Sequence, residues 1–196
     1  SGRPSPTDVE RCIEDLNGKV DFILGGEMCQ VGVESTVVDC TVTPSCVLRP
    51  GGITLEMLSK IDREVYIDPA VMKKPDKNIR PKAPGMKYRH YAPNAPVKIV
   101  NGDLKKTIAK INEMVQNYID ENKVVGVIAT DETKDFYKKG LVVSLGSRSN
   151  MLSVSKNLFE TLRSFDDKKV DIILSEAFEE KGIGVAVMNR LNKSAG

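Results

Sequence analysis

Three stretches within the first 54 residues carry side chains that could bind an anion. The first, S-G-R-P-S-P-T at residues 1–7, combines hydroxyl groups with turn-forming residues directly before a predicted helix. Free backbone N–H groups at the start of a helix, together with hydroxyls, suit a phosphate group. A helix cap within an ordinary turn explains the same residues, and for this stretch taken alone that structural interpretation is favoured.

The other two stretches place polar groups at the ends of predicted strands. G-V-E-S-T-V-V-D, residues 32–39, puts Ser35 and Thr36 before a β-branched run, and L-R-P-G-G-I-T, residues 48–54, puts Arg49 beside a tight turn. An arginine in such a place can pair with a phosphate or a carboxylate. A strand entry with satisfied hydroxyls and a surface arginine are the structural alternatives.

A proline-rich segment divides the chain. Six of the ten prolines lie within residues 69–96, and proline removes a backbone donor and fixes φ. We therefore expect no regular helix or central strand there, but a linker or a long functional loop. It separates a first block, residues 1–68, from a second block, residues 97–196.

The second block has the pattern of an α/β domain. Short β-branched runs alternate with amphipathic stretches, which predicts a Rossmann-like parallel sheet with helices on both faces. The predicted strands are 97–100, 124–128, 141–145 and 170–174. The predicted helices are 104–119, 132–138, 151–165 and a last one after 182–184. The G-S-R-S-N segment at 146–150 and the G-I-G segment at 182–184 are interpreted as tight turns, because neither completes a dinucleotide-binding fingerprint.

The first block is predicted to be only part of an α/β domain. A helix capped by Thr7 or Asp8 should run to about residue 16. We expect three short strands and a second short helix, at 20–24, 35–40, 45–48 and 54–60. So few elements leave strand edges unpaired, which is typical of a piece of a larger sheet domain.

Composition argues against several functional classes. The net charge is only +2, with 5% aromatic residues and no Trp, so strong nucleic-acid binding is not expected. The four cysteines form no CxxC pair and the chain has a single His, so we expect no metal site and mostly buried thiols. No apolar run approaches the ~20 residues of a membrane span. A cytoplasmic location is expected.

In order and spacing, the three stretches resemble the segments that close the catalytic domain of the YrdC/YwlC-family threonylcarbamoyl-AMP synthases. P-G-M-K-Y-R-H-Y-A-P at residues 84–93 resembles the linker of the two-domain members. A-F-E-E-K-G-I-G-V-A-V-M-N-R-L-N-K-S-A at residues 177–195 is similar to the end of their accessory domain. The resemblance spans essentially the whole chain.

The resemblance implies a reaction and its substrates. Members of the family convert ATP, L-threonine and bicarbonate or CO2 into threonylcarbamoyl-AMP and pyrophosphate. The product is passed to the machinery that transfers the threonylcarbamoyl group to tRNA. Mg²⁺ is expected with ATP, and no catalytic or metal-ligating residue is assigned.

The resemblance also implies roles for individual residues. Ser5 and Arg49 are expected to contact ATP, and Ser35 and Thr36 to contact L-threonine. Three linker residues are expected to contact the nucleotide when the linker closes as a lid: Tyr88, His90 and Tyr91. A hydrogen-bonded loop residue is an equally good interpretation of His90.

The family pattern includes an upstream basic segment and an S-A-N triplet that this sequence does not contain. We therefore expect the 196 residues alone to be inactive, although the longer protein would be a nucleotidyltransferase. The alternative is a non-catalytic, Rossmann-like binding or regulatory module.

Overall fold

The computed structural model describes residues 2–72 and 91–196. In the first block, α1 (Val9–Leu16) precedes an antiparallel pair of strands, β1 (Val37–Asp39) and β2 (Cys46–Arg49). Helix α2 (Leu55–Leu58) leads to β3 (Tyr66–Ile67), which pairs parallel with β2. The linker begins with a short helix, α3 (Pro69–Met72).

Both predicted helices of the first block begin at polar caps. The Asp8 carboxylate accepts a hydrogen bond from the backbone N–H of Arg11 at 2.8 Å, and Thr54 caps α2. Such caps satisfy amide groups that have no partner within the helix. They fix where the short helices begin.

Residues 20–24 do not form the predicted strand. Phe22 is 93% exposed and Leu24 is fully exposed. A strand requires a partner for its N–H and C=O groups, and the sheet of the first block, in the order β1-β2-β3, does not include this segment. The prediction of a strand here was wrong.

The start of the linker also differs from expectation. A turn of helix begins at Pro69, although the proline-rich segment was expected to hold none. Proline is tolerated at the first helical position, because the N–H that it lacks would have no intrahelical partner there. The pairing of β3 with β2 was likewise not anticipated.

The second block, the accessory domain, contains four parallel strands. They are β4 (Val97–Val100), β5 (Val125–Ala129), β6 (Leu141–Ser144) and β7 (Ile172–Glu176), in the order β4-β7-β5-β6. The helices are α4 (Leu104–Asp120), α5 (Met151–Asp167) and α6 (Gly184–Ala195), with a 3-10 turn at Lys134–Phe136. The predicted α/β class is confirmed, although β7 begins two residues later than expected.

The helices cover both faces of this sheet. Ile111 and Val115 of α4 pack with Val127 and Leu174 on one face. On the other face, α5 and α6 pack around the fully buried Ile173. Successive strand residues point to opposite faces, which explains why the central strand β5 is buried and free of polar side chains along its whole length.

Helix α5 also packs directly against the first block. The Ser155 hydroxyl donates to the carbonyl of Val31 at 2.5 Å. Gly32, with φ of 76°, lies so close that a Cβ there would be 2.5 Å from the carbonyl oxygen of Ser155. Glycine is therefore required just before the E-S-T stretch.

The expectation of mostly buried thiols was wrong, because only Cys46 is buried. Cys12 is half-buried, and Cys29 and Cys40 are exposed in irregular segments. Within residues 2–72 and 91–196, no helix is both long and apolar enough to span a membrane.

Candidate active site

Ser35 and Arg49, two of the predicted site residues, are in direct contact. Strands β1 and β2 place Val37 opposite Arg49. The Arg49 guanidinium donates from Nε to the Ser35 carbonyl at 3.0 Å and from Nη2 to the Ser35 hydroxyl at 3.1 Å. The E-S-T stretch and the R-P-G-G turn therefore form one surface.

Gly51 makes this close contact possible. A Cβ at Gly51 would be 2.5 Å from the carbonyl oxygen of Glu34 and would also overlap the amide nitrogen of Thr36. The Thr36 hydroxyl donates to the Ile53 carbonyl at 2.6 Å and accepts from the Ile53 amide at 3.1 Å. Thr36 thus holds the two segments together through its side chain.

The Glu34 carboxylate joins the S-P-T stretch to the accessory domain. Ser5 Oγ donates to Glu34 Oε1 at 2.8 Å, and Arg190 Nε donates to Glu34 Oε2 at 2.9 Å. In the sequence, Glu34 is recognisable only as part of the E-S-T motif. Its function as a bridge depends on contacts across 29 and 156 residues of sequence, which local patterns do not reveal.

Arg190 is completely buried, with a side-chain exposure of 0%. Besides Glu34, its Nη1 atom donates to the Pro50 carbonyl at 2.7 Å and to the Asn189 side-chain oxygen at 3.1 Å. A buried guanidinium requires such partners, because an unpaired charge in the interior is costly.

The end of the linker reaches the same cluster. Tyr91 is 7% exposed and stacks on Phe159 with ring centroids 5.2 Å apart, while the Arg190 guanidinium lies 5.6 Å from its ring. Burial and the nearby Glu34 carboxylate raise the pKa of Tyr91 above its usual value. The next residue, Ala92, donates its amide to the Gly2 carbonyl at 3.0 Å. Tyr88 and His90 lie outside the described residues.

Lys193, one turn after Arg190 on α6, adds a third cation. Burial, followed by the charges of Arg190 and Arg49, lowers the pKa of Lys193 to about 8, and Glu34 opposes that shift. The cluster thus contains three cationic side chains, Arg49, Arg190 and Lys193, and the Glu34 carboxylate, a balance of charge that favours an anionic ligand. The sequence signal for Arg190 and Lys193 was their spacing of three residues on one predicted helix.

Among the described residues, no group of three or more His, Cys, Asp or Glu side chains is arranged to hold a metal ion. Glu34, the carboxylate of this cluster, is already bonded to Ser5 and Arg190. The side chains of the described residues therefore do not form a binding site for a metal cation.

The glycine turn after β6 is occupied by an acidic side chain of the protein itself. Glu132 accepts hydrogen bonds from the Ser147 hydroxyl at 2.5 Å and from the Arg148 amide at 2.9 Å. These bonds lower the pKa of Glu132 to about 2. Because Glu132 already accepts from this hydroxyl and this amide, the contacts are consistent with the interpretation of the turn as structural.

Two family models match the chain. The model described as "Threonylcarbamoyl-AMP synthase, C-terminal domain" matches residues 53–196. The Sua5/YciO/YrdC model, described as "Telomere recombination", matches residues 1–51.

Relatives named threonylcarbamoyl-AMP synthase come from three kinds of organism. The chain is 45% identical to that of Pyrococcus abyssi and 41% identical to that of Bacillus subtilis, over 196 residues in each case. It is 37% identical to that of Schizosaccharomyces pombe over 207 residues. All of this chain is covered, but only 55%, 55% and 50% of the respective relatives. The chain therefore spans about half the length of the curated relatives that it matches.

Two solved structures are similar to this chain over its whole length. The crystal structure of P. abyssi Sua5 complexed with L-threonine has a TM-score of 0.90 at 45% identity, covering 100% of this chain and 55% of that one. A variant of P. abyssi Sua5 with a histidine and the following tyrosine replaced by alanine also gives 0.90, at 44% identity, with coverage of 100% and 54%. Because the C-terminal-domain model alone matches more than half of the sequence, this chain belongs to the threonylcarbamoyl-AMP synthase family.

Proposed function

We propose that this chain is the C-terminal part of an L-threonylcarbamoyladenylate synthase, a nucleotidyltransferase that makes threonylcarbamoyl-AMP and pyrophosphate from ATP, L-threonine and bicarbonate or CO2. The observation that carries the proposal is the meeting of four separate segments around Glu34 and Arg49. Glu34 is hydrogen-bonded to Ser5 and Arg190, and Arg49 is hydrogen-bonded to Ser35.

The substrate contacts follow from this cluster. Ser35, together with Thr36, is proposed to bind L-threonine, the ligand present in the P. abyssi Sua5 structure. Arg49 and Ser5 are proposed to bind ATP, because a guanidinium and a hydroxyl suit phosphate oxygens. Lys193 adds a further positive charge close to Arg49 and Arg190.

The linker is proposed to supply further nucleotide contacts from Tyr88, His90 and Tyr91. The position of Tyr91 beside Arg190 and close to Glu34 and Arg49 supports this role. His90 and Tyr91 are also the chain's single His–Tyr pair, the type of pair replaced in the P. abyssi variant.

The reaction needs positioning and charge neutralisation. The threonine amine forms a C–N bond with the carbon of CO2 and loses a proton, giving a carbamate. When bicarbonate is the source, a C–O bond breaks as well and water leaves. A carbamate oxygen then attacks the α-phosphorus of ATP, and the bond to the β-phosphate oxygen breaks to release pyrophosphate. Fixed cations near the phosphates stabilise the charge that develops on the leaving group.

Any Mg²⁺ is proposed to arrive with the nucleotide. Mg²⁺ commonly keeps several waters and binds substrate phosphates in addition to one or two carboxylates. The carboxylate in this cluster already bonds to Ser5 and Arg190, so no described residue is assigned to the ion.

The remainder of the site is proposed to come from further residues of a longer protein. The chain spans about half of its relatives, and the exposed Phe22 and Leu24 present an apolar surface that a complete domain would cover. The product is proposed to pass, in the cytoplasm, to the machinery that modifies tRNA, without strong binding of nucleic acid by this chain.

The test is pyrophosphate release that depends on all three substrates, measured for the longer protein and for the 196-residue chain. We expect turnover by the longer protein and none by the chain alone. Turnover by the chain alone would show that these 196 residues hold the complete site. A longer protein that binds a ligand but releases no pyrophosphate would favour the non-catalytic binding module.

A further inference from the structure

We propose that Arg190, supplied by the last helix of the accessory domain, is a positioning residue of the active site. It holds the E-S-T stretch, the R-P-G-G turn and the end of the linker in one arrangement. The effect on catalysis rests on the proposed function, whereas the positioning itself does not. The accessory domain is then part of the catalytic unit.

Arg190 contacts a different segment with each part of its guanidinium. Nε binds Glu34, next to Ser35, and Nη1 binds the carbonyl of Pro50, next to Arg49. The face of the group lies 5.6 Å from the ring of Tyr91. Because the side chain of Arg190 is not exposed to solvent, it acts through these neighbours and does not touch substrate.

The contact with Glu34 extends the influence of Arg190 to a further segment. Glu34 holds Ser5 through its second carboxylate oxygen at 2.8 Å. Without Arg190, this partly buried carboxylate would lose its charged partner and could reorient towards solvent. The positions of Ser5 and Ser35 would then change together.

Helix α6 is itself firmly placed, as a positioning element must be. Asn189 donates its side-chain amide to the carbonyl of Val71, at the start of the linker, at 2.9 Å. Adjacent residues of one helix thus hold the start of the linker and, through Tyr91, its end. Lysine could not replace Arg190, because a single ammonium group lacks the planar fork that reaches Glu34 and Pro50 together.

The positioning is tested by hydrogen exchange on the 196-residue chain, comparing Arg190→Met with Arg11→Met. Arg11 is the matched control, since it is also a mostly buried arginine between the two blocks but binds Glu160. We expect amide exchange at residues 33–37 and 49–53 to rise in Arg190→Met about tenfold or more beyond the change at the amides of β5, which report global stability. In Arg11→Met the rise at these residues should exceed that of β5 by less than about twofold. Equal exchange in the two variants would overturn the proposal.

Catalysis is tested in the longer protein. Since a displacement of about 1 Å can cost about 10²-fold, we expect Arg190→Met to lower kcat/KM for L-threonine by about that factor. Arg190→Lys should recover little of it, and adding Glu34→Gln should cause little further loss, because the two residues act as a unit. A loss no larger than that of Arg11→Met, or full recovery by lysine, would contradict a positioning role.

The two proposals can fail separately. If the unmodified longer protein releases no pyrophosphate, the proposed function is wrong, while the exchange experiment still decides whether Arg190 positions the segments. If the longer protein is active and Arg190→Met retains full activity, only the inference about Arg190 is wrong.

Discussion

Arg11 and Glu160 are 149 residues apart in sequence and form two parallel hydrogen bonds, from Nε to Oε2 at 3.0 Å and from Nη2 to Oε1 at 2.8 Å. The same guanidinium also bonds to Asp167 at 2.6 Å. Helix α1 of the first block is thereby attached to α5 of the accessory domain. Arg163 strengthens the attachment through Asp15 and the Pro4 carbonyl.

Replacing Arg11 with Met should destabilise the chain by about 2 kcal/mol, because it removes several charge-assisted hydrogen bonds from a mostly buried site. Urea unfolding at low and high salt would measure this loss. The control is Lys110→Met, which breaks an exposed ion pair with Glu113 and should cost less than about 0.5 kcal/mol. Equal losses in the two variants would show that the contact between the blocks contributes little.

Gly51→Ala should destabilise the chain by about 1–3 kcal/mol, because the added methyl group overlaps the backbone of the E-S-T stretch. The change should also weaken L-threonine binding by the longer protein, as measured by calorimetry. Gly26→Ala is the control, since a Cβ there meets nothing within 4 Å. An unchanged melting temperature for Gly51→Ala would mean that the turn moves freely away from Glu34.

Lys193 should make stability depend on pH above neutrality. Its pKa in the folded chain is about 8, against an ordinary value of 10.5. Between these values the unfolded chain binds more protons, so the free energy of unfolding should rise with pH over this window. Urea unfolding at pH 7.5 and 10 should show a smaller rise for Lys193→Met than for the unmodified chain.

The control for Lys193 is Lys106→Met, which changes an exposed lysine of α4 and should keep the full rise. A binding measurement adds independent support. If an anion binds beside Lys193 near pH 8, it should cause proton uptake, and calorimetry in buffers of different ionisation enthalpy would detect it. Uptake that persists in Lys193→Met would assign the proton to another group.

Arg49→Ala in the longer protein should lower kcat/KM for ATP by about 10²-fold or more, because a phosphate would lose a charge-assisted partner in the transition state. The melting temperature should stay close to that of the unmodified protein. Arg63→Ala, at an exposed position before β3, should leave both quantities unchanged. Normal kinetics with a lowered melting temperature would make Arg49 a structural residue that serves to hold Ser35.

The accessory domain was largely predictable from sequence, because its β-branched runs and helical periodicity are local signals. Val125, Val127 and Ile128 lie in one continuous apolar run and form the buried strand β5. The segment that includes Phe22 was mispredicted for the opposite reason. Its composition suits a strand, but strand formation depends on a partner that local sequence does not specify.

The site was predictable only in part. Ser35 and Arg49 were predicted as site residues because their motifs are local; the structure places them in contact, and their ligand-binding roles stay predictions. Arg190 was part of a recognised motif, but its role requires Glu34, 156 residues away. Burial and long-range pairing decide such roles, and neither follows from the spacing of residues within a motif.

The attachment of both linker ends to helix α6 has a consequence for variation in length. Val71 is held by Asn189, and Tyr91 lies against Arg190, so both ends of the intervening chain are fixed on one helix. The entropy of loop closure grows only logarithmically, and each doubling of length costs about 0.6 kcal/mol. Natural homologues should therefore tolerate insertions between these two points, while Asn189 and Arg190 remain adjacent on the same helix.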